Sequence, residues 1–201
     1  NFRCPWCYSR ELVLPEEIER QPKITEKYFF DFLEQRKGLL EGVVVCGGEP
    51  TMDKDLPEFI KKIKKLGYLV KLDTNGSNPK MLQGLIGQKL VDYVAMDMKL
   101  PKERYQEVLG ADVKNIEASV KILKEGKVDY EFRSTIVPTI HTKEDVIEMA
   151  KWIKGAKRYY LQNFRPEKTI DPEFEKLKPY PDEYLKEIQQ AVAPFFEICQ
   201  V

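Results

Sequence analysis

The sequence predicts an α/β fold built on a parallel β-sheet, and three observations support this. Short apolar runs rich in β-branched residues alternate with amphipathic stretches along the 201 residues, as strands alternate with helices in βαβ units. The unusual glycine, polar and charged residues follow these apolar runs directly. No Pro- or Gly-rich linker divides the chain, so we expect one domain over residues 1–201.

The strands are predicted from the apolar runs. Residues 42–46 form a run of valines ending in Cys46, which predicts a strand buried on both faces with Cys46 as a small buried side chain. The other predicted strands are residues 68–72, 92–96, 130–137 and 158–161, with residues 195–198 as a candidate short last strand. Because crossovers between parallel strands are right-handed, their carboxyl ends should meet on one edge of the sheet.

Helices are predicted in the intervals between the strands. Asn78 followed by Pro79 indicates an N-cap with proline at the first helical position. Asn115 is expected to cap a helix that runs to residue 123, and Thr142 to Asp145 resembles a capping box. The remaining helices are expected over residues 24–37, 56–66 and 182–193.

Composition limits the class of protein. Lys plus Arg and Asp plus Glu both number 33, so the net charge is zero, which argues against a nucleic-acid partner held by bulk charge. No apolar run reaches the roughly 20 residues of a membrane span, and no secretory signal is visible. The four cysteines do not form a disulfide framework, so we expect a reducing, cytoplasmic location and no membrane partner.

Distinctive residues follow each predicted strand. They are Gly47-Gly48-Glu49-Pro50 after the first strand, Asp73-Thr74-Asn75-Gly76 after the second, Asp97-Met98-Lys99 after the third, Arg133 within the fourth and Gln162 after the fifth. Since these positions converge on one edge of the sheet, where such folds keep their active sites, they predict a ligand site there.

The residue types suggest the chemistry of that ligand. A Gly-Gly pair lets a ligand approach the backbone and leaves N–H groups free to bind it. Glu49 can accept hydrogen bonds from an ammonium group, while Lys99 and Arg133 can bind a carboxylate. Asp73, Asn75 and Asp97 can take hydroxyls, an amine or a cation. Together these residues suit a zwitterionic, nucleoside-like ligand.

Simpler interpretations of single residues stay open at this point. Gly47-Gly48 and Asn75-Gly76 can be ordinary turns. Arg133 can be an ion-paired strand residue. His141, the only histidine, is expected to be a loop or capping residue rather than a catalytic one.

Cys4-Pro5-Trp6-Cys7 has the CxxC spacing of metal and redox sites. A thioredoxin-like redox pair is one interpretation, but that fold is smaller and leaves the strand-end motifs unexplained. A zinc site needs four ligands, and beyond this pair only Cys46, Cys199 and His141 remain. Two thiolates do not complete a metal site; a cysteine directly before Asn1 would extend the spacing to C-x-x-x-C-x-x-C.

With these motifs, nearly the whole chain resembles the radical S-adenosylmethionine enzymes. Residues 1–8 resemble the end of their C-x-x-x-C-x-aromatic-C loop, with Trp6 as the aromatic residue. Residues 47–50 resemble the segment that contacts the methionine amino group. The resemblance implies a partial (β/α)6 TIM-like barrel whose first strand is missing from this chain, so that a strand and then a cysteine are expected before Asn1.

The resemblance also implies the cofactors and their contacts. Cys4, Cys7 and the expected third cysteine would hold three irons of a [4Fe–4S] cluster, whose fourth iron binds S-adenosylmethionine. The implied S-adenosylmethionine contacts are Trp6, Gly47, Gly48, Glu49, Pro50, Asn75, Lys99, Arg133 and Gln162, and the implied cation site is Asp73, Thr74 and Asp97. No side chain needs to act as a general base, so no catalytic residue is assigned.

Finer matches resemble the glycyl-radical activases. Residues 73–76 and 97–99, and Arg133 with Val137-Pro138, resemble this group, which includes the anaerobic ribonucleotide reductase and pyruvate formate-lyase activating types. Residues 161–166 and the short length most resemble the anaerobic ribonucleotide reductase activating proteins. The resemblance implies an oxidoreductase of anaerobic metabolism that cleaves S-adenosylmethionine to methionine and a 5′-deoxyadenosyl radical. That radical takes a Cα hydrogen from a glycine of a partner glycyl-radical enzyme. The electron for the cleavage comes from a donor such as flavodoxin or ferredoxin. A radical enzyme acting on a small molecule or peptide, and a non-enzymatic binding module, are the open alternatives.

Overall fold

One sheet of six parallel strands forms the centre of the molecule, as a computed structural model of residues 1–201 shows. The strands are β1 (Gly42–Val45), β2 (Leu69–Thr74), β3 (Tyr93–Asp97), β4 (Asp129–Ile136), β5 (Arg158–Asn163) and β6 (Ile198–Gln200). Their order in the sheet is their order in the chain, and β1 and β6 are its two edges. The predicted α/β class with a parallel, partial-barrel sheet is therefore confirmed.

Eight α-helices connect and flank the strands. They are α1 (Pro15–Arg20), α2 (Glu26–Gln35), α3 (Leu56–Lys65), α4 (Pro79–Gly87), α5 (Tyr105–Leu109), α6 (Val113–Lys124), α7 (Lys143–Trp152) and α8 (Asp182–Val192). Asn78 caps α4 through the Met81 N–H, and Thr142 and Asp145 form the predicted capping box of α7. The short helices α1 and α5 were not predicted. No helix combines the length and the apolar character that crossing a membrane requires.

Two predicted element boundaries are wrong. Helix α6 is capped by Asp112, whose carboxylate accepts from the Lys114 N–H, so Asn115 lies inside the helix. The last strand lies at residues 198–200 and not at 195–198, because Ala193–Phe195 forms a 3-10 turn that continues from α8.

The prediction that β1 is buried on both faces is also wrong. Val44 is 53% exposed, and Cys46, predicted to be buried, is exposed. Strand β1 pairs only with β2 and forms an edge of the sheet. A run of valines identified the strand correctly, but it carried no information on the strand's place in the sheet.

The two faces of the sheet differ in chemistry. Alternate residues such as Val70, Leu72 and Phe132 are buried on the face that joins the hydrophobic core. The intervening residues point to the other face by the period of two along a strand, and they are mostly charged or polar. The register aligns Asp97 of β3 with Arg133 of β4, which places opposite charges side by side on that polar face.

Candidate functional site

The predicted ligand residues converge on one cavity of about 320 Å³ at the carboxyl ends of the strands. Its lining includes Cys4, Trp6, Cys7, Gly47, Gly48, Glu49, Asp73, Thr74, Asn75, Asp97, Lys99, Arg133 and Gln162. Pro50 is not part of this lining, because it begins the adjacent 3-10 turn, Pro50–Met52. A wider groove of about 620 Å³ beside α2 and α3 contains none of these residues, so the chemistry points to the smaller cavity.

The cysteine loop is held in place by backbone hydrogen bonds. The Cys7 N–H donates to the Cys4 carbonyl at 2.9 Å, which closes the turn. The Ile170 N–H donates to the Cys7 carbonyl at 3.1 Å, and the Asp171 N–H to the Pro5 carbonyl at 2.9 Å. A segment that follows β5 therefore fixes the position of both thiols.

The two thiols differ in their surroundings. Cys4 is buried and Cys7 is half-buried. Burial raises the pKa of the Cys4 thiol above its ordinary value, so the uncomplexed side chain is neutral at physiological pH. No group of three or more histidine, cysteine or acidic side chains gathers in metal-binding geometry; the cysteine loop supplies two thiols to this cavity.

Trp6 supports the loop from within. Trp6 is 6% exposed. Its ring forms a T-shaped pair with the ring of His141 at a centroid distance of 6.2 Å and lies 6.2 Å from the ring of Phe174. This aromatic packing joins the cysteine loop to the segments that follow β4 and β5.

Both the backbone conformation and a close backbone contact require glycine at Gly47-Gly48. Gly47 has a φ of +150°, which residues other than glycine rarely adopt. A Cβ at Gly48 would lie 2.7 Å from the Leu12 carbonyl oxygen. The glycine pair therefore allows the segment after the cysteine loop to pack directly on the backbone at the end of β1.

Glu49 joins the ends of β1 and β2. Its Oε1 accepts from the Thr74 hydroxyl at 2.7 Å and from the hydroxyl and N–H of Thr51, while its Oε2 accepts from the Asn75 N–H at 2.7 Å. The side chain is buried. Asn75 in turn donates through Nδ2 to the Asn1 Oδ1 at 2.9 Å. Glu49 is thus a structural centre of the site as well as a candidate ligand residue.

Charged side chains form a network on the floor of the cavity. Arg133 donates to Asp97 Oδ1 from Nε at 3.0 Å and from Nη2 at 2.9 Å, and to Asp73 Oδ2 from Nη1 at 3.1 Å. The Lys99 Nζ lies 3.3 Å from Asp97 Oδ2. Burial acts to raise the pKa of Asp97, but Lys99 and Arg133 hold that pKa below its ordinary value. Arg133 is therefore both an ion-paired strand residue and a cavity residue.

Asp73 retains an unsatisfied acceptor. Its Oδ1 is buried without a hydrogen-bond partner, and the nearest cation is the Lys71 Nζ at 3.5 Å. A buried carboxylate oxygen without a donor is costly. This atom is suited to a cation, an amine or a hydroxyl of a bound ligand.

Several site residues were not singled out from the sequence. Thr135 lines the cavity; its position two residues after Arg133 on the same strand face could have identified it. Tyr105 accepts from the Lys99 N–H at 3.0 Å, and no sequence pattern signals that contact. Cys46 also lines the cavity, contrary to its predicted burial.

Comparisons of sequence place these motifs in a known context. The sequence profile of the Radical SAM superfamily matches residues 1–153. The protein named "Putative glycyl-radical enzyme activating enzyme MJ1227" of Methanocaldococcus jannaschii is 33% identical over 205 residues, which cover 98% of this chain and 82% of that protein. The "Probable GTP 3′,8-cyclase" of Thermococcus kodakarensis is 30% identical over 165 residues, 75% of this chain and 49% of the cyclase.

Comparisons of structure agree on the fold. SuiB of Streptococcus suis bound to S-adenosylmethionine has a TM-score of 0.74 at 15% identity, over 100% of this chain and 48% of SuiB. A domain of the pyruvate-formate lyase-activating enzyme of Bacteroides vulgatus has a TM-score of 0.62 at 15% identity, over 78% of this chain and 98% of that domain. The chain spans about half the length of SuiB and of the cyclase.

Proposed function

Because the chain belongs to the radical S-adenosylmethionine superfamily, we propose that it cleaves S-adenosylmethionine reductively and thereby generates a glycyl radical on a partner enzyme. The observation that carries this proposal is the cavity itself. It brings together the two loop cysteines, the glycine pair that follows β1 and the charged network of Asp97, Lys99 and Arg133. These are thiol, backbone and charged groups that suit a cluster together with a zwitterionic ligand.

Cys4 and Cys7 would hold two irons of a [4Fe–4S] cluster, and we expect a third thiolate from a cysteine directly before Asn1. The fit is chemical, because both thiols line the cavity and thiolates are the usual ligands of such clusters. When bound, the cluster would supply the electron that breaks the carbon–sulfur bond of the sulfonium. The loop itself contributes a largely buried setting, since Cys4 and Trp6 are each 6% exposed.

The remaining residues would bind and orient S-adenosylmethionine. Lys99 and Arg133 offer cations to the ligand's carboxylate, and each is already positioned by Asp97. The Asp73 Oδ1 has no hydrogen-bond partner within the chain, so Asp73, with Thr74 and Asp97, would hold a cation beside that carboxylate. Trp6, Asn75 and Gln162 line the same cavity and would contact the rest of the ligand.

The glycyl-radical part of the proposal has a separate basis. The relative from Methanocaldococcus jannaschii aligns with 98% of this chain, and its name assigns it to glycyl-radical activation. We therefore expect a protein substrate carrying the target glycine and an electron donor such as flavodoxin or ferredoxin.

The test begins with anaerobic reconstitution, with iron and sulfide, of the protein expressed from its complete gene. We expect the visible absorption of a thiolate-ligated cluster and release of methionine from S-adenosylmethionine under reduction. Cys4→Ser should abolish both, whereas Cys199→Ser, which alters a half-buried thiol outside the cavity lining, should retain both. A wild-type protein without either signal would contradict the proposal.

A second candidate is a radical enzyme that acts on a small molecule or peptide. The 30% identity with a protein named as a GTP cyclase favours this candidate. Incubating the reduced enzyme with a candidate glycyl-radical partner, followed by electron paramagnetic resonance, separates the two. A glycine-centred radical on the partner supports the activase, and methionine release without it supports the alternative.

A further inference from the structure

His141 is the only histidine of the chain and is 1% exposed. It lies just before α7, outside the lining of the ligand cavity. Both of its ring nitrogens bind main-chain groups. Nε2 lies 2.8 Å from the Lys99 carbonyl oxygen, and the Val137 N–H donates to Nδ1 at 3.0 Å. A carbonyl partner requires the proton on Nε2, so the ring is the neutral Nε2–H tautomer.

These bonds fix the residue that carries a cavity cation. The Lys99 carbonyl accepts from His141, and the Lys99 N–H donates to the Tyr105 hydroxyl at 3.0 Å. The backbone of Lys99 is therefore held on both sides, while its Nζ lies 3.3 Å from Asp97. A shift of this backbone would move the ammonium group within the cavity.

The same residue contacts the cysteine loop through its ring and the segment after β5 through its main-chain carbonyl. The rings of His141 and Trp6 form a T-shaped pair with an interplanar angle of 78°, and Trp6 lies between the two loop cysteines in the sequence. The Tyr180 hydroxyl donates to the His141 carbonyl at 2.8 Å. His141 thus contacts two residues that line the cavity, Trp6 of the cysteine loop and Lys99 just after β3.

We propose that His141 is a positioning residue of the site, which sets the place of the Lys99 ammonium and of the Trp6 ring through its two main-chain hydrogen bonds and its edge contact. This inference rests on the proposed binding of S-adenosylmethionine at the cavity. Its consequence is that ligand affinity depends on a residue that does not touch the ligand.

The variants His141→Phe and His141→Gln test the proposal. Phe keeps a ring against Trp6 but leaves the Lys99 carbonyl and the Val137 N–H without partners; Gln keeps a donor for Lys99. The matched control is Tyr68→Phe, which removes another buried hydrogen bond to a main-chain carbonyl, from Tyr68 to Leu33 at 2.6 Å. Tyr68 lies outside the cavity lining.

The measurements are thermal unfolding, the Kd of S-adenosylmethionine for the reconstituted protein, and Trp6 emission in a Trp152→Phe background that leaves one tryptophan. We expect His141→Phe to raise the Kd about tenfold and to shift Trp6 emission to longer wavelength, with a smaller effect for His141→Gln. Tyr68→Phe should lower the unfolding temperature and leave the Kd and emission unchanged.

Two outcomes separate this proposal from the proposed function. If the His141 variants unfold at lower temperature but retain the wild-type Kd and Trp6 emission, His141 is only structural and the inference is overturned. If the wild-type protein binds no S-adenosylmethionine, the proposed function fails, and Trp6 emission then decides whether His141 positions the loop. An emission shift in His141→Phe without one in Tyr68→Phe supports the positioning role.

Discussion

At the scale of the residue, the charged groups of the site bind one another before any ligand arrives. Arg133 contacts Asp73 and Asp97. Glu49 accepts hydrogen bonds from the Thr74 hydroxyl and the Asn75 N–H. The sequence could identify these residues because each lies in or directly after a predicted strand. It could not predict the pairs, since the alternation along a strand gives the face of a side chain and not its partner across the sheet.

The first prediction concerns Glu49. In Glu49→Gln, the amide NH₂ group would face at least one of the N–H and hydroxyl donors whose hydrogen bonds the carboxylate accepts in the wild-type protein. That donor would then lack an acceptor. We expect a loss of about 1–3 kcal/mol in the free energy of unfolding, as for other buried groups left unsatisfied. The measurement is urea denaturation. Glu58→Gln, at a surface carboxylate paired with Lys61, is the control and should unfold like wild type; equal stability of both variants would refute the role of Glu49.

The second prediction concerns the cysteines. Cys46 is exposed, whereas Cys4 is buried, and burial raises the pKa of the Cys4 thiol. Burial also raises the pKa of Cys199 to about 11. Because the thiolate is the reacting form, iodoacetamide should label Cys46 first in the iron-free protein, and Cys4 and Cys199 slowly. A mass-spectrometric time course gives the order, and early labelling of Cys4 would contradict the buried position of the loop.

At the scale of the element, local patterns predicted the first five strands to within one or two residues but failed where tertiary context decides. Asp112 and Asn115 are both good cap residues; Asp112 is used because the chain leaves α5 through Gly110, with a φ of +61°, and turns at once into α6. The burial of β1 was mispredicted because an edge position depends on the neighbours of a strand. The starts of α4 and α7 were predicted correctly because their capping residues, Asn78 and Thr142, are local signals.

The capping box of α7 gives the prediction at this scale. The Thr142 hydroxyl accepts from the Asp145 N–H at 3.2 Å, and the Asp145 carboxylate accepts from the Thr142 N–H at 2.8 Å. Thr142→Ala should lower the free energy of unfolding by about 1 kcal/mol, and Thr142→Ser should recover most of that loss. Chemical denaturation of the two variants checks this, and an Ala variant as stable as the Ser variant would show that the cap contributes little.

At the scale of the whole molecule, the site follows from topology. The six strands lie in chain order and run parallel, so their carboxyl ends form one edge, and residues spread from Gly47 to Gln162 meet there. This convergence could be predicted from the sequence. The contacts of Ile170 and Asp171 with the cysteine loop could not, because main-chain hydrogen bonds from an irregular segment produce no periodic pattern of residue types.

The molecule's single histidine determines how its stability responds to mild acid. Burial lowers the pKa of His141, and the positive charge of Arg104 acts in the same direction, whereas Asp145 opposes it. The unfolded chain therefore takes up a proton near pH 6.5, the ordinary histidine value, while the folded protein does not. Stability is full above that pH and falls as the pH decreases below it.

Below about pH 6, the free energy of unfolding should fall by about 1.4 kcal/mol per pH unit, which corresponds to the uptake of one proton on unfolding. This slope should hold until the folded protein itself binds the proton. Carboxylates with lowered pKa, such as Asp97 and Asp145, add their own loss only at lower pH. Urea denaturation at several pH values between about 5 and 7.5 measures the slope. His141→Gln should flatten this slope, because the chain has no second histidine. A variant that keeps the wild-type slope would show that groups other than His141 account for the acid sensitivity.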